Sequence, residues 1–173
     1  MDKIFVVSHC ILNISSKVIG YNEAEQKEEA IHRRSFMEYV GKNDIQLIQL
    51  PCPEFLLYGA RRWGHVREQF DHPFFRDQCR QMLKPLILQL KEYASYPERY
   101  ILLGIVAIDY SPSCGYRATC KGDWGGELSG CPNLEQKLGS LITAEEPGVF
   151  MDELIKLLRE EQMELPILDL SSF

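Results

Sequence analysis

Tyr100-Ile101-Leu102-Leu103-Gly104-Ile105-Val106-Ala107-Ile108 is an apolar run of strand length, and a run of this kind bounded by polar residues reads as a buried strand. Two shorter runs share its character, Ile4-Phe5-Val6-Val7 and Ile45-Gln46-Leu47-Ile48-Gln49-Leu50. A cysteine follows each of the three: Cys10, Cys52 and Cys114. Helical patterns separate the strands. Asn22 followed by Glu25 looks like a capping box, with Glu23, Glu25, Glu28 and Glu29 suited to the positive end of a helix that runs to Val40 and stops at Gly41. Phe75, Cys79, Met82, Leu83, Leu86 and Leu90 recur at steps of three and four, with Pro85 placed to kink or divide that helix. Phe150, Leu154, Leu157 and Leu158 mark another helix, and Leu165 to Leu170 a last strand. Strands alternating with helices predict an α/β fold, a Rossmann-like three-layer sandwich with a mostly parallel sheet and right-handed crossovers. Its ligand site is expected at the strand carboxyl ends.

The chain has 173 residues, enough for one sizeable core, and no Pro- or Ser-rich linker divides it. One domain over 1–173 is expected, with a Gly- and Cys-rich insertion at about 111–132. That segment holds Gly115, Gly122, Gly125, Gly126 and Gly130 with three cysteines, and structureless stretches this long are usually functional or disordered. No apolar stretch reaches membrane-spanning length, and only four apolar residues precede Ser8, too few for a signal-peptide core. The expected location is cytoplasmic, with no membrane partner. Thiols stay reduced there, so ligation or nucleophilic chemistry accounts for six cysteines better than a disulfide framework. A net charge of −6 argues against binding a nucleic acid polymer.

Strand ends of a parallel sheet line one edge, so Cys10, Cys52 and Cys114 are expected to converge. Three thiolates hold a soft metal centre and leave one coordination position open. Ser8-His9-Cys10-Ile11-Leu12-Asn13, Pro51-Cys52-Pro53-Glu54 and Ser111-Pro112-Ser113-Cys114-Gly115 occupy the three strand ends. Together and in this order they resemble the thiouracil desulfidase (TudS) family, over most of the first two thirds of the chain. The resemblance implies a [4Fe-4S] cluster held by Cys10, Cys52 and Cys114, whose fourth iron takes sulfur from a small thiolated substrate without net electron transfer. On this reading Glu54 activates water or shuttles its proton, the other reading being a surface loop glutamate, and Ser111 and Ser113 either donate hydrogen bonds to substrate or cluster or serve the turn alone.

His9 is a candidate substrate-side proton donor, or a strand-end histidine with a structural hydrogen bond. Asn13 either orients substrate or closes the turn after the first strand. Arg61, Arg62 and Arg67, with Trp63 and His65, form a basic and aromatic stretch. It reads as an anion or planar-ring clamp, with Arg61 and Arg62 as substrate contacts, or as exposed side chains lying over apolar surface. Cys79 falls on the apolar face of its helix and is expected in the core. Cys120 and Cys131 depart from the three-cysteine pattern and stand as a fourth ligand, a sulfur relay, or part of a zinc site with Cys114. Gly148 is placed to open the last helix, whose first N–H groups suit an anion. Two other functions compete with the desulfidase: a thiol redox or sulfur-transfer protein using Cys114 and Cys120, and a module that binds a small ligand without turnover.

Overall fold

The structure, a computed structural model, describes residues 1–173. Its elements in chain order are β1 (Asp2–Val7), α1 (His9–Leu12), α2 (Glu23–Lys42), β2 (Ile45–Gln49), α3 (Pro53–Tyr58), α4 (Arg67–Phe70), α5 (Pro73–Ala94) and β3 (Tyr100–Ala107). Then follow β4 (Thr119–Lys121), α6 (Leu134–Leu138), β5 (Ile142–Ala144), α7 (Val149–Glu160) and β6 (Ile167–Asp169). Four strands form one parallel sheet in the order β2-β1-β3-β6. The protein is therefore an α/β three-layer sandwich of Rossmann-like form.

Alternation along the strands makes the layers, because successive side chains of a strand face opposite sides of its sheet. Val6, Ile105 and Ala107 pack with Phe75, Cys79, Leu83, Leu86 and Leu90 of α5 and with Val149 to Leu158 of α7. Phe5, Val7 and Val106 face the other way, onto Phe36 and Val40 of α2, with Ile11 and Leu170. Every one of these strand residues is nearly inaccessible to solvent. Cys79 is fully buried in the first layer, as its helical spacing implies.

The register of β1 on β3 slips between Ile4 and Phe5, which pair with Leu102 and Gly104. Gly104 lies at φ 136°, and a Cβ there would collide with the Pro166 carbonyl. That carbonyl accepts the Ile105 N–H at 2.8 Å, so the glycine lets the chain entering β6 approach the bulge.

Several local expectations change. α2 runs through Gly41 and ends at Lys42, where the Asn43 N–H bonds back to the Tyr39 and Val40 carbonyls. Asn22 does cap it, accepting from the N–H groups of Ala24 at 3.1 Å and Glu25 at 3.3 Å. Pro85 lies inside α5, which continues across it from Pro73 to Ala94 because its apolar face is anchored on the sheet. The 111–132 segment contains β4, which pairs antiparallel with β5 in a separate two-stranded sheet. No helix is long and apolar enough to cross a membrane.

Candidate functional site

Three connections leave the carboxyl ends of β1, β2 and β3 side by side, and each is built by short-range chemistry. Ser8 extends β1 by donating its N–H to the Val106 carbonyl at 2.9 Å, and Cys10 follows on α1. The ring Nδ1 of His9 lies 3.0 Å from the Leu50 carbonyl, and Gln49 Nε2 donates to the His9 carbonyl at 2.8 Å. These bonds fasten the first connection to the end of β2. They give His9 the structural hydrogen bond, with Nδ1 as the donor to that carbonyl. Asn13 closes the following turn through its backbone: its N–H donates to the His9 carbonyl at 3.0 Å, and its carbonyl accepts from Ser16 Oγ at 2.8 Å.

Cys52 is the N-cap of α3, its sulfur accepting the Phe55 N–H at 3.4 Å. Pro53 supplies the fixed φ of a first helical residue and Glu54 places a carboxylate in the first turn, where the helix dipole favours it. At the third connection the Ser111 hydroxyl accepts the N–H groups of Ser113 at 3.3 Å and Cys114 at 3.0 Å, the local side-chain turn that serine favours. The start of α7 then grips this turn. Val149 N–H donates to the Pro112 carbonyl, Met151 N–H to that of Ser113, both at 3.0 Å, and Gly148 N–H to that of Gly115 at 2.9 Å. The N–H groups expected to receive an anion at Gly148 are thus engaged by residues 112–115. A Cβ at Gly148 would lie 2.5 Å from the Ser113 carbonyl carbon, so only glycine permits this approach.

The carboxylate of Glu54 joins the second and third connections. Its Oε1 accepts from Ser113 Oγ at 2.6 Å, with Ser111 Oγ at 3.4 Å, and its Oε2 lies 3.4 Å from Arg62 Nε. A hydroxyl has one hydrogen to give. Ser113 gives its hydrogen over the shortest of these distances, to Glu54, and accepts from Ser111 Oγ 3.2 Å away. The result is a directed chain from Ser111 to Ser113 to Glu54. Ser113 Oγ is also 3.6 Å from Cys114 Sγ, so one hydroxyl touches both the carboxylate and a thiol.

All three thiols sit high on the pH scale. Burial pushes Cys10 up to about 12, against a downward pull from Lys17 and with Glu29 and Cys52 adding to the rise. Burial also raises Cys52, opposed by the Phe55 N–H and by Arg62. Cys114 is driven well above its ordinary value by burial and then by Cys10, with Cys52 contributing. The charge of Cys52 bears on Cys10, and those of Cys10 and Cys52 bear on Cys114, in keeping with their places at the exits of three adjacent strands. Lys17 favours the thiolate of Cys10, and Arg62 with a backbone N–H favours that of Cys52.

No set of three or more His, Cys, Asp or Glu side chains is gathered to grip a single metal ion. A cuboidal cluster makes a different demand, because it offers a separate iron to each cysteine. Cys10, Cys52 and Cys114, at the exits of the neighbouring strands β1, β2 and β3, are the residues that would meet it. Ser8 Oγ, fully buried two residues before Cys10, has no hydrogen-bond partner within the chain. Buried hydroxyls are rarely left so, and this one remains a free donor at the end of β1.

The basic stretch is divided by the fold. Arg62, expected as a substrate contact, has a side chain only 3% exposed and donates from each of its three nitrogens, to Glu54, the Gly59 carbonyl at 3.1 Å and the Ser16 carbonyl at 2.8 Å. Arg67 donates to the Pro147 carbonyl at 2.9 Å and Asp71 at 2.5 Å. Arg61 and Trp63 are exposed. His65 stacks near Tyr58 and Phe70, with centroids 4.9 and 4.7 Å away, and burial lowers its pKa. Cys120 donates to the His65 carbonyl at 3.4 Å, and Cys131 to Asn133 Oδ1 at 3.5 Å. Lys17 and Ser16 carried no signal in the sequence, since a lone lysine and a serine after a short turn become neighbours of the site only when that turn folds over β2's exit.

Fold and site together define a three-layer α/β protein that gathers three cysteines and a hydroxyl-linked carboxylate at the carboxyl edge of its sheet. Among curated proteins, the "Uncharacterized protein MJ0003" of Methanocaldococcus jannaschii is 38% identical over 103 residues, which are 60% of this chain and 63% of that protein. The match thus spans less than two thirds of the relative's length. No family model matches the chain, and no solved structure matches it.

Proposed function

We propose that this chain is a desulfidase-type enzyme that replaces the sulfur of a small thiolated compound, of thioamide or thiolated-nucleobase type, by oxygen from water. One observation carries the reading: Ser113 Oγ lies 2.6 Å from Glu54 Oε1 and 3.6 Å from Cys114 Sγ, joining an acid–base group to a sulfur site. Cys10, Cys52 and Cys114 would hold a [4Fe-4S] cluster, which when bound supplies a Lewis-acidic iron with an affinity for soft sulfur.

The chain's own residues carry the proton work. Glu54 takes a proton from the water whose oxygen attacks the thiocarbonyl carbon, and the carbon–sulfur bond breaks as the carbon–oxygen double bond forms. Water supplies the oxygen and two protons, the sulfur departs as hydrogen sulfide or its anion, and no electron is exchanged. Ser113 and Ser111 hand protons along their chain and keep Oε1 of Glu54 aimed at the cysteine side of the site. The expected setting is the reducing cytoplasm, with no membrane and no nucleic acid polymer as partner.

The thiol-redox alternative is less well supported, because a nucleophilic cysteine needs exposure and a depressed pKa. Cys114 has neither, being buried and shifted upward. Iron and acid-labile sulfide after anaerobic reconstitution, measured on the wild type and on alanine variants of Cys10, Cys52, Cys114, Cys120 and Cys131, test the proposal. About four irons per chain, lost with the first three variants and kept with the last two, are expected for a cluster with an open iron. A wild type that holds no iron, or equal dependence on Cys120 or Cys131, overturns it.

A further inference from the structure

Arg62 is the most completely engaged charged side chain around the three connections. Its Nε faces Glu54 Oε2 at 3.4 Å, one terminal nitrogen donates to the Gly59 carbonyl at 3.1 Å, and the other to the Ser16 carbonyl at 2.8 Å. Those three partners belong to different pieces of the site. Ser16 ends the turn that follows Cys10 and is itself buried, its hydroxyl returned to the Asn13 carbonyl at 2.8 Å. Gly59 is the C-cap of α3, the helix that begins at Cys52. Glu54 reaches across to Ser113, beside Cys114.

We propose that Arg62 is a positioning residue that holds the three cysteine-bearing connections in one frame, tying the turn after Cys10 and the end of α3 directly and the Ser111–Gly115 turn through Glu54. A guanidinium suits this work because its planar fork presents donors in several fixed directions, which an ammonium cannot do. With its own side chain only 3% exposed, the guanidinium has little water to replace these partners. The role bears on function through the desulfidase reading, since three sulfurs from three loops must keep a fixed spacing to hold a cluster. The frame itself is a property of the metal-free chain.

Hydrogen–deuterium exchange on metal-free Arg62→Gln tests the frame without reference to iron. Amides of residues 9–17, 59–62 and 111–115 are expected to exchange at least about tenfold faster, the scale of one lost charge-assisted hydrogen bond, while β1 and β3 keep their wild-type protection. The 111–115 response is decisive, because Arg62 reaches that turn only through Glu54. Faster exchange confined to 9–17 and 59–62, or none at all, overturns the proposal. If Arg62→Gln does not fold, Arg62→Lys serves in the same measurement, and the same segments should loosen because one ammonium cannot span three directions. Lys84→Gln, on the exposed face of α5, is the control.

Iron retention adds a second readout. In wild type that loads iron, a chelator should strip Arg62→Gln at least about tenfold faster than wild type, with partial rescue by Arg62→Lys. Equal stripping rates count against the inference, whereas failure of the wild type to load iron counts against the desulfidase reading and leaves the exchange experiment to decide the frame.

Discussion

Ser113 and Glu54 stand 59 residues apart in sequence, yet the serine hydroxyl donates to the glutamate Oε1 over 2.6 Å. One bond thereby couples the turn after β3 to the helix after β2, and it does so beside a buried cysteine. Short hydroxyl-to-carboxylate bonds of this kind are among the stronger ones in proteins, and they fix the carboxylate's direction as well as its energy.

Glu54→Gln keeps the shape of the group and removes its ability to take a proton. If the chain acts as a desulfidase, sulfide release from a 2-thiouracil probe should fall by about 10²- to 10⁴-fold, with the iron content of the reconstituted protein unchanged. Undiminished release would remove Glu54 from the chemistry. Ser113→Ala should destabilise the fold by about 1–3 kcal/mol, the cost of leaving a buried carboxylate oxygen without its shortest partner, as read from urea unfolding.

Thiol accessibility gives a test that needs no substrate. Burial holds Cys10 at about 12 and Cys120 at about 11 and raises Cys52 and Cys114. Because the thiolate is the reactive form, iodoacetamide at neutral pH should modify Cys131 first in metal-free protein. Cys10 and Cys114 should react slower by about a hundredfold or more, gaining rate as pH rises toward 11. Peptide mass spectrometry resolves the sites, and rapid labelling of Cys114 at neutral pH would revive the nucleophilic reading.

Acid should weaken the packing of α5 on α7. Arg76 bonds Asp71 at 2.8 Å, Asp152 at 2.7 Å and Glu153, while Arg80 bonds Glu153 at 3.1 Å. The Asp71 carboxyl is lowered by the Arg76 hydrogen bond, against burial and with help from Arg67. For Asp152 and Glu153 burial acts upward and is outweighed by hydrogen bonds from Lys156 and Arg76, joined at Glu153 by Arg80. A carboxyl depressed by folding contributes stability above its unfolded value, about pH 4, and loses it as pH falls through the folded one. The melting temperature should therefore drop as pH is taken from about 5 to about 3. Arg76→Met should flatten that dependence, and an unchanged slope would show the network to be idle.

Two glycine-to-alanine changes should act in opposite directions. Gly148→Ala drives a Cβ into the Ser113 backbone and should cost about 1–3 kcal/mol, the usual penalty of overpacking. Gly41 lies inside α2 with nothing within 4 Å of its Cβ position. Gly41→Ala should stabilise by about 0.5–1 kcal/mol through helix propensity. Denaturant midpoints measured side by side decide both signs.

The sequence by itself determined the layering. Apolar runs at 4–7, 45–50 and 100–108 and the three-and-four spacing from Phe75 to Leu90 dictate strands and a helix that can bury those faces only in an α/β sandwich, because local periodicity and hydrophobic burial act on contiguous residues. It also placed Cys10, Cys52 and Cys114 at strand exits and Cys79 in the core. What only the tertiary structure decided was the company those exits keep. The bonds of Arg62 to Ser16, Arg67 to Pro147, and the α7 N-terminus to residues 112–115 join residues tens of positions apart. Polar groups carry no periodicity and choose partners by which donors and acceptors burial brings together. For the same reason Gly41 reads as a stop in sequence, yet α2 passes through it, since docking of Phe36 and Val40 on the sheet outweighs the propensity of one residue.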